Sequence, residues 1–242
     1  MGVQRGAVTV TTGRRADAGV IRPGARDIAG LSLCGEHYGA PYDLLAAALG
    51  VQPARLRGIT GRWRAAGYAA TGRLGPGPSW CWLTARGMEA AGLPYPAAAP
   101  KLTRLAHVRA VLAARLWLSS ADVYTAGRAW WESERRLRAA IGTVPAPHVA
   151  DAEIHWPSVD GGRYGGQVWA VEVELTPKTQ ARTAGIMSGL LSGRVRYAQV
   201  VYLTTPASRP VVTRSAQSLP AGQRDKIAIR DLPATAYMPG VP

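Results

Sequence analysis

Apolar positions in the first third of the chain recur at helical spacing, and those in the second half alternate as strands do. Ile28, Leu31 and Leu33 suit a helix over 26–38. Pro41 opens a second helix through Leu44, Leu45 and Leu49, closed by Gly50. Pro53 starts a third, PARLRGITGRWRAAG, in which Leu56, Ile59 and Trp63 follow one face and Gly67 ends the run. YAATGRL, the tip GPGPS and the return WCWLT read as a hairpin, with a short helix, TARGMEAAGL, behind it. YPAAAP at 95–100 is a linker. A helix over 101–118 follows, which either packs against the C-terminal domain or joins two subunits. Beyond it the pattern predicts a helix over about 122–141 and a hairpin of strands at 149–156 and 167–175. A helix over about 177–192 and strands at 197–204, 210–213 and 226–230 complete it.

The order helix, helix, short turn, basic helix, hairpin resembles a winged helix-turn-helix over about 26–93. That resemblance implies that the third helix enters the major groove of double-stranded DNA and that the hairpin tip is the wing. Arg55, Arg57, Arg62 and Arg64 on the third helix are then DNA-facing, with Arg73 at the wing base. The same fold also serves as a protein-interaction module. Four regions result: a flexible basic arm at 1–25, the winged helix-turn-helix at 26–94, a linker and connecting helix at 95–121, and a mixed α/β domain at 122–242.

Charge strengthens the nucleic-acid expectation. Against 15 acids stand 29 bases, a net +14 and a sequence pI of about 10.7. Such a balance favours a polyanionic partner. Only three bases are Lys (101, 178 and 226), so the excess is Arg, suited to bidentate phosphate and guanine contacts. A GC-rich genome accounts for Arg in place of Lys and for the absence of Phe, but not for the imbalance of bases over acids. Cys34 and Cys81 are isolated, without metal-ligand spacing. The first residues carry no apolar signal core, and no segment approaches the length of a membrane span. The expectation is a cytoplasmic protein with no membrane partner.

Candidate chemistry concentrates in HVADAEIHWPSVDGGRYGGQVWAVEVELTPK, residues 148–178. Glu172 and Glu174 share one face of a strand because side chains alternate with period 2. Val171, Val173 and Leu175 share the other. If the two strands pair, Asp151 joins the acidic face. Three carboxylates so gathered repel one another unless a cation lies between them, and Mg²⁺ is the hard, oxygen-seeking choice. Acid-rich strands beside Gly turns also occur as plain solvated sheet faces. His148 and His155 flank Asp151, within reach of a metal or as ordinary polar residues. The Trp residues at 80, 82, 130, 131, 156 and 169 stand in for Phe as core aromatics, although Trp80 at the wing is also placed to stack on a base.

The acidic hairpin resembles the PD-(D/E)xK nuclease superfamily, over about 120–220. Asp151 matches the first acid and Glu172 the second. Glu174 stands where that pattern has Lys, and Lys178 is a candidate for a Lys supplied from the following segment. Glu134, in WWESERRLRAA, matches the Glu that often precedes the hairpin. The resemblance implies a restriction-endonuclease-like mixed sheet, with Asp151 and Glu172 holding Mg²⁺ and Glu174 completing the site. It also implies that Lys178 orients water or stabilises phosphorane-like charge, and that Glu134 supports the metal. Taken together, the winged helix, SERRLR (133–138), HVADAEI (148–154) and VEVELTPKTQAR (171–182) resemble the replication-relaxation family of mobile elements in high-GC Gram-positive bacteria. This implies DNA handling on a mobile element, and the first hypothesis adds metal-dependent phosphodiester cleavage by the C-terminal domain. The alternative is a non-catalytic regulator or replication and transfer accessory factor, whose C-terminal domain mediates homodimerisation or protein contacts.

Overall fold

The computed structural model describes residues 22–120, 129–142, 148–158, 164–193 and 195–237. Most of the arm expected at 1–25 lies outside these residues. The N-terminal part contains α1 (Ala25–Glu36), β1 (Ala40–Pro41), α2 (Tyr42–Ala48), α3 (Pro53–Ala65), β2 (Ala69–Gly72), β3 (Trp80–Leu83) and α4 (Ala85–Ala90). The strands form an antiparallel sheet in the order β1-β3-β2. Pro53 starts α3 in the first turn, where its missing N–H costs nothing, and Gly67, at φ 73°, ends it in the left-handed region. The buried face of α3 is Leu56, Ile59, Thr60 and Trp63. It docks closely on α1: a Cβ at Gly30 would lie 2.5 Å from the Trp63 ring. The Trp63 indole N–H donates to Asp27 Oδ1 at 2.8 Å, which fixes the crossing.

After a 3₁₀ turn (Leu102–Arg104), helix α5 (Leu105–Ser119) leads to a second sheet. Its elements are β4 (Trp130–Ser133), α6 (Glu134–Ile141), β5 (Ala152–His155), β6 (Val168–Glu174), α7 (Gln180–Ser192), β7 (Gln199–Thr204), α8 (Arg209–Gln217), α9 (Ala221–Arg224) and β8 (Ile227–Asp231). A last 3₁₀ turn spans Ala234–Ala236. The strand order is β4-β5-β6-β7-β8. Pairs β4–β5 and β5–β6 are antiparallel, while β6–β7 and β7–β8 are parallel. The protein is therefore mixed α/β, with two sheets, one of them mixed.

The two faces of the large sheet differ. Ala152 and Ile154, Val171 and Val173, and Val201 and Leu203 belong to one core that continues into Leu31, Leu45, Leu56 and Trp63. Ala170, Val200 and Tyr202 face the other way, with Met187 and Leu190 of α7 and Val212 of α8. Helix α5 lies within the shared core through Ala110, Val111, Leu112, Ala113 and Ala114, so 95–121 is a structural spine as well as a connection. Its Arg109, 2% exposed, donates bidentately to Asp43 on α2 at 2.9 and 2.6 Å, and to the Tyr237 carbonyl at 2.9 Å.

Two expected elements differ. Residues 130–133, expected inside a helix over 122–141, form β4. WWES alternates Trp131 inward with Trp130 and Glu132 outward, and Ser133 then caps α6 by accepting from the Arg136 N–H at 3.3 Å. Residues 121–128 of that expected helix lie outside the described residues. The strand expected at 210–213 is part of α8. Pro210 falls in a first turn, and Val212, Ser215 and Ala216 are buried at helical spacing. Trp130 is half-exposed rather than core, whereas Trp80 is 1% exposed and is not available for stacking on a base.

Candidate functional site

The β5–β6 register brings the expected acids together. Ala152 pairs with Val171, which sets Asp151, just ahead of β5, opposite the Glu172 position. Glu172 and Glu174 point to the same face, and both are 5% exposed. Glu172 is also the register partner of Tyr202 on β7. The Tyr202 hydroxyl is buried and has no hydrogen-bond partner among the described residues.

Each candidate acid meets a basic side chain of the protein itself. His107, on α5, donates through Nε2 to Asp151 Oδ1 at 2.9 Å, and Asp151 Oδ2 accepts from the Val173 N–H at 2.8 Å. His148 contacts Glu172 Oε1 through Nε2 at 2.9 Å. Lys178 pairs with Glu174. Lys178 lies in the loop ahead of α7, whose first turn is capped by Thr179. Glu134, at the start of α6, accepts from Arg104 at 3.0 Å and from Arg138 at 2.8 Å. Its backbone N–H donates to the Asp151 carbonyl at 3.1 Å. Glu36, Arg104, His107, Glu134 and Asp151 line one cleft between α1, α5 and the large sheet.

Electrostatics separate these acids. Burial opposes ionisation of Asp151, but the His107 hydrogen bond and charge and the Val173 N–H outweigh it, and its pKa lies below the usual carboxylate value. Glu172 goes the other way. Burial and the adjacent Asp151 charge push it up to about 7, against the opposing pull of His148. The hydrogen bond to Glu172 raises His148. His107 is also raised, because its bond to Asp151 outweighs its own burial.

A second cluster occupies the same sheet face. His155 Nε2 lies 2.8 Å from Glu132 Oε2 and 2.8 Å from Glu153 Oε2. Donor atoms of these three residues all fall within 4.8 Å of one another. His155 was legible as a residue near Asp151, but Glu132 and Glu153 were not. Their convergence depends on the β4–β5 register, which sets Glu132 opposite Glu153, and β4 itself was read as helix.

In the N-terminal part, Arg55, Arg57, Arg62 and Arg64 are all exposed on α3, as is Arg73 in the β2–β3 connection. With Leu56, Ile59, Thr60 and Trp63 turned inward, Arg55 and Arg62 flank one side of the outer surface and Arg57 and Arg64 the other. Between them run Ala54, Gly58, Gly61 and Ala65, all exposed. A Cβ at Gly58 or Gly61 would meet nothing within 4 Å, so no packing among the described residues requires either glycine. Arg62 makes a long 3.9 Å ion pair with Asp27.

Comparison with protein-family models, with curated proteins and with solved structures finds no match to this chain. Among the described residues, no helix is long and apolar enough to cross a membrane.

Proposed function

We propose that the protein binds double-stranded DNA through α3 and that its large sheet is a nuclease-like domain with a phosphodiester-cleaving site at Asp151 and Glu172. The observation that carries the reading is the β5–β6 register, which sets Asp151 against Glu172 on one sheet face. Three adjacent antiparallel strands followed by a helical crossover to a parallel strand support a PD-(D/E)xK-like core. The helix, helix, basic helix and hairpin of the N-terminal part support a winged helix-turn-helix, with α3 as its DNA-reading element. Affiliation with the replication-relaxation proteins of mobile elements, and a cytoplasmic location, belong to the same proposal.

The donor set fits a hard divalent cation on two counts. Glu172 is buried against a like charge, which a cation relieves, and the partnerless Tyr202 hydroxyl lies beside it. Asp151 and Glu172 would hold Mg²⁺, with Glu174 next in line. Mg²⁺ there would supply polarisation of a phosphate oxygen and a lowered pKa for bound water. The chain's own residues do the rest. The Val173 N–H and His107 orient the Asp151 carboxylate. Lys178 neutralises Glu174 and brings positive charge to the end of β6.

One observation favours a second reading, a non-catalytic DNA-binding regulator or accessory factor. Asp151, Glu172, Glu174 and Glu134 each already contact a basic side chain of the protein, namely His107, His148, Lys178 and Arg104. The test is cleavage of supercoiled and linear DNA with Mg²⁺ or Mn²⁺, comparing wild type with Asp151→Ala and Glu172→Ala. Nicking that needs metal and disappears in both variants supports the nuclease. Intact DNA in every lane, with DNA binding retained by all three proteins, supports the regulator and overturns the cleavage proposal.

A further inference from the structure

We propose that Glu132, Glu153 and His155 form a second cation site, selective for a divalent transition metal such as Zn²⁺ and separate from the Asp151–Glu172 site. The proton count at His155 points to a cation. In any protonation state, Nε2 carries at most one hydrogen, yet two carboxylate oxygens lie 2.8 Å from it. One hydrogen cannot make two linear bonds, so three electron-rich atoms converge on a point that a single proton does not satisfy. Glu132 and Glu153 are also direct partners across the β4–β5 ladder, where like charges destabilise the sheet, and Glu153 is only 4% exposed. One divalent ion bound by all three residues removes both difficulties.

The surroundings are those of a ligand set held in place. The Tyr197 hydroxyl donates to Glu153 Oε1 at 2.6 Å, which leaves Oε2 facing His155. Such a second contact orients a metal-binding carboxylate. Trp130 stacks on the His155 ring at 5.0 Å and 13°, which fixes the plane of the imidazole. Ligands at about 2.0–2.2 Å from a tetrahedral ion lie about 3.4 Å apart. Nε2 therefore moves about half an ångström farther from each of the two oxygens on binding. The Glu132 and His155 side chains, 25% and 21% exposed, are free enough to move that far. An imidazole and two carboxylates select Zn²⁺, Co²⁺ or Mn²⁺ over Mg²⁺ and Ca²⁺, which demand more oxygens. Three protein ligands leave a fourth position to water or a ligand atom. The site lies on β4, an edge strand, beside the half-exposed Trp130.

The test is Co²⁺ and Zn²⁺ titration of the metal-free full-length chain, read by Co²⁺ visible absorption and by calorimetry. The expected result is one equivalent bound at micromolar metal, retained in excess Mg²⁺. It should be lost in His155→Ala and in Glu132→Gln, and weakened about tenfold in Tyr197→Phe. Asp151→Ala and Glu172→Ala should bind as wild type does, which separates this site from the proposed nuclease centre. Circular dichroism checks that each variant folds, and Glu132→Gln, at the exposed edge, decides the matter if His155→Ala does not fold. Absence of binding at micromolar metal overturns the proposal. So does binding that survives Glu132→Gln, or binding lost in Asp151→Ala instead.

Discussion

His107 on α5 holds the carboxylate of Asp151 across 44 residues of sequence, at 2.9 Å and largely out of solvent. One side chain thereby ties the spine of the molecule to the first acid of the sheet. Truncating it leaves a mostly buried charge with the Val173 N–H as its remaining partner. Loss of one partner of a buried charged hydrogen bond costs roughly 2–3 kcal/mol. His107→Ala should lower unfolding stability by about that amount in urea, while His107→Gln, which keeps a donor, should recover much of it. Wild-type stability in His107→Ala would show that the contact contributes nothing.

Two arginine pairs flank α3, and they should act through phosphate charge. The double variants Arg55→Ala/Arg62→Ala and Arg57→Ala/Arg64→Ala should each weaken binding to duplex DNA. Each phosphate contact removed should reduce the slope of log K against log salt by roughly 1. Gly58→Ala and Gly61→Ala probe the ridge between the pairs. Because nothing lies near either added methyl, each should stabilise the helix by about 0.8–1.0 kcal/mol. Weaker DNA binding by these more stable variants would show that the bare ridge itself contacts DNA. Unchanged affinity in both arginine double variants would remove α3 from the DNA interface.

Much of this arrangement was legible in the sequence, and the boundary is physical. Helix α1 announced itself through its apolar positions, and α2 and α3 through Pro starts, Gly stops and an apolar face. Strands β5 to β8 did so through alternation and apolar runs. The shared face of Asp151 and Glu172 followed from strand period once the two strands pair, because alternation fixes which residues share a face. Strand β4 was not legible, since four residues next to a capped helix are too short to show a period. The pairing of Asp151 with His107, and of Glu134 with Arg104, was not legible either. Those contacts depend on how α5 docks, and docking is decided by the shared core rather than by local pattern.

Glu172 makes stability depend on pH in a direction opposite to that of an ordinary ion-paired carboxylate. Its pKa rises from 4.5 to about 7 on folding, chiefly through burial. The folded state therefore holds this proton more tightly than the unfolded chain does. That contribution is complete below pH 4.5 and is lost as pH rises through about 7, a change of roughly 3 kcal/mol. The raised His148 and His107 act in the same sense, since their contributions are lost as pH rises above 6.5 through their folded values. Asp151, held below its usual 3.8, matters only in stronger acid. Urea melts at pH 5 and pH 8 should show wild type less stable at the higher pH. Glu172→Gln, which cannot ionise, should flatten most of that difference. A wild type equally stable at both values would contradict the raised Glu172.

Arg109 adds a buried polar tie to the shared core that makes the two sheets unfold as one. Its guanidinium, 2% exposed, joins α5 to Asp43 of α2 and to the carbonyl of Tyr237 near the end of the described chain. Around it, Leu31 and Leu45 of the N-terminal part and Val171 and Leu203 of the large sheet share one core. Breaking a fully buried pair costs about 3–5 kcal/mol. Asp43 keeps 40% side-chain exposure and can regain water, so Arg109→Ala should cost roughly 2–3 kcal/mol. In wild type, tryptophan fluorescence and far-UV circular dichroism should report one coincident transition, because no apolar boundary divides the core. In Arg109→Ala the shared core remains, so the transition should move to lower urea and stay single. Two resolved transitions in wild type would show instead that the N-terminal part and the large sheet are separate folding units, with α5 as a tether.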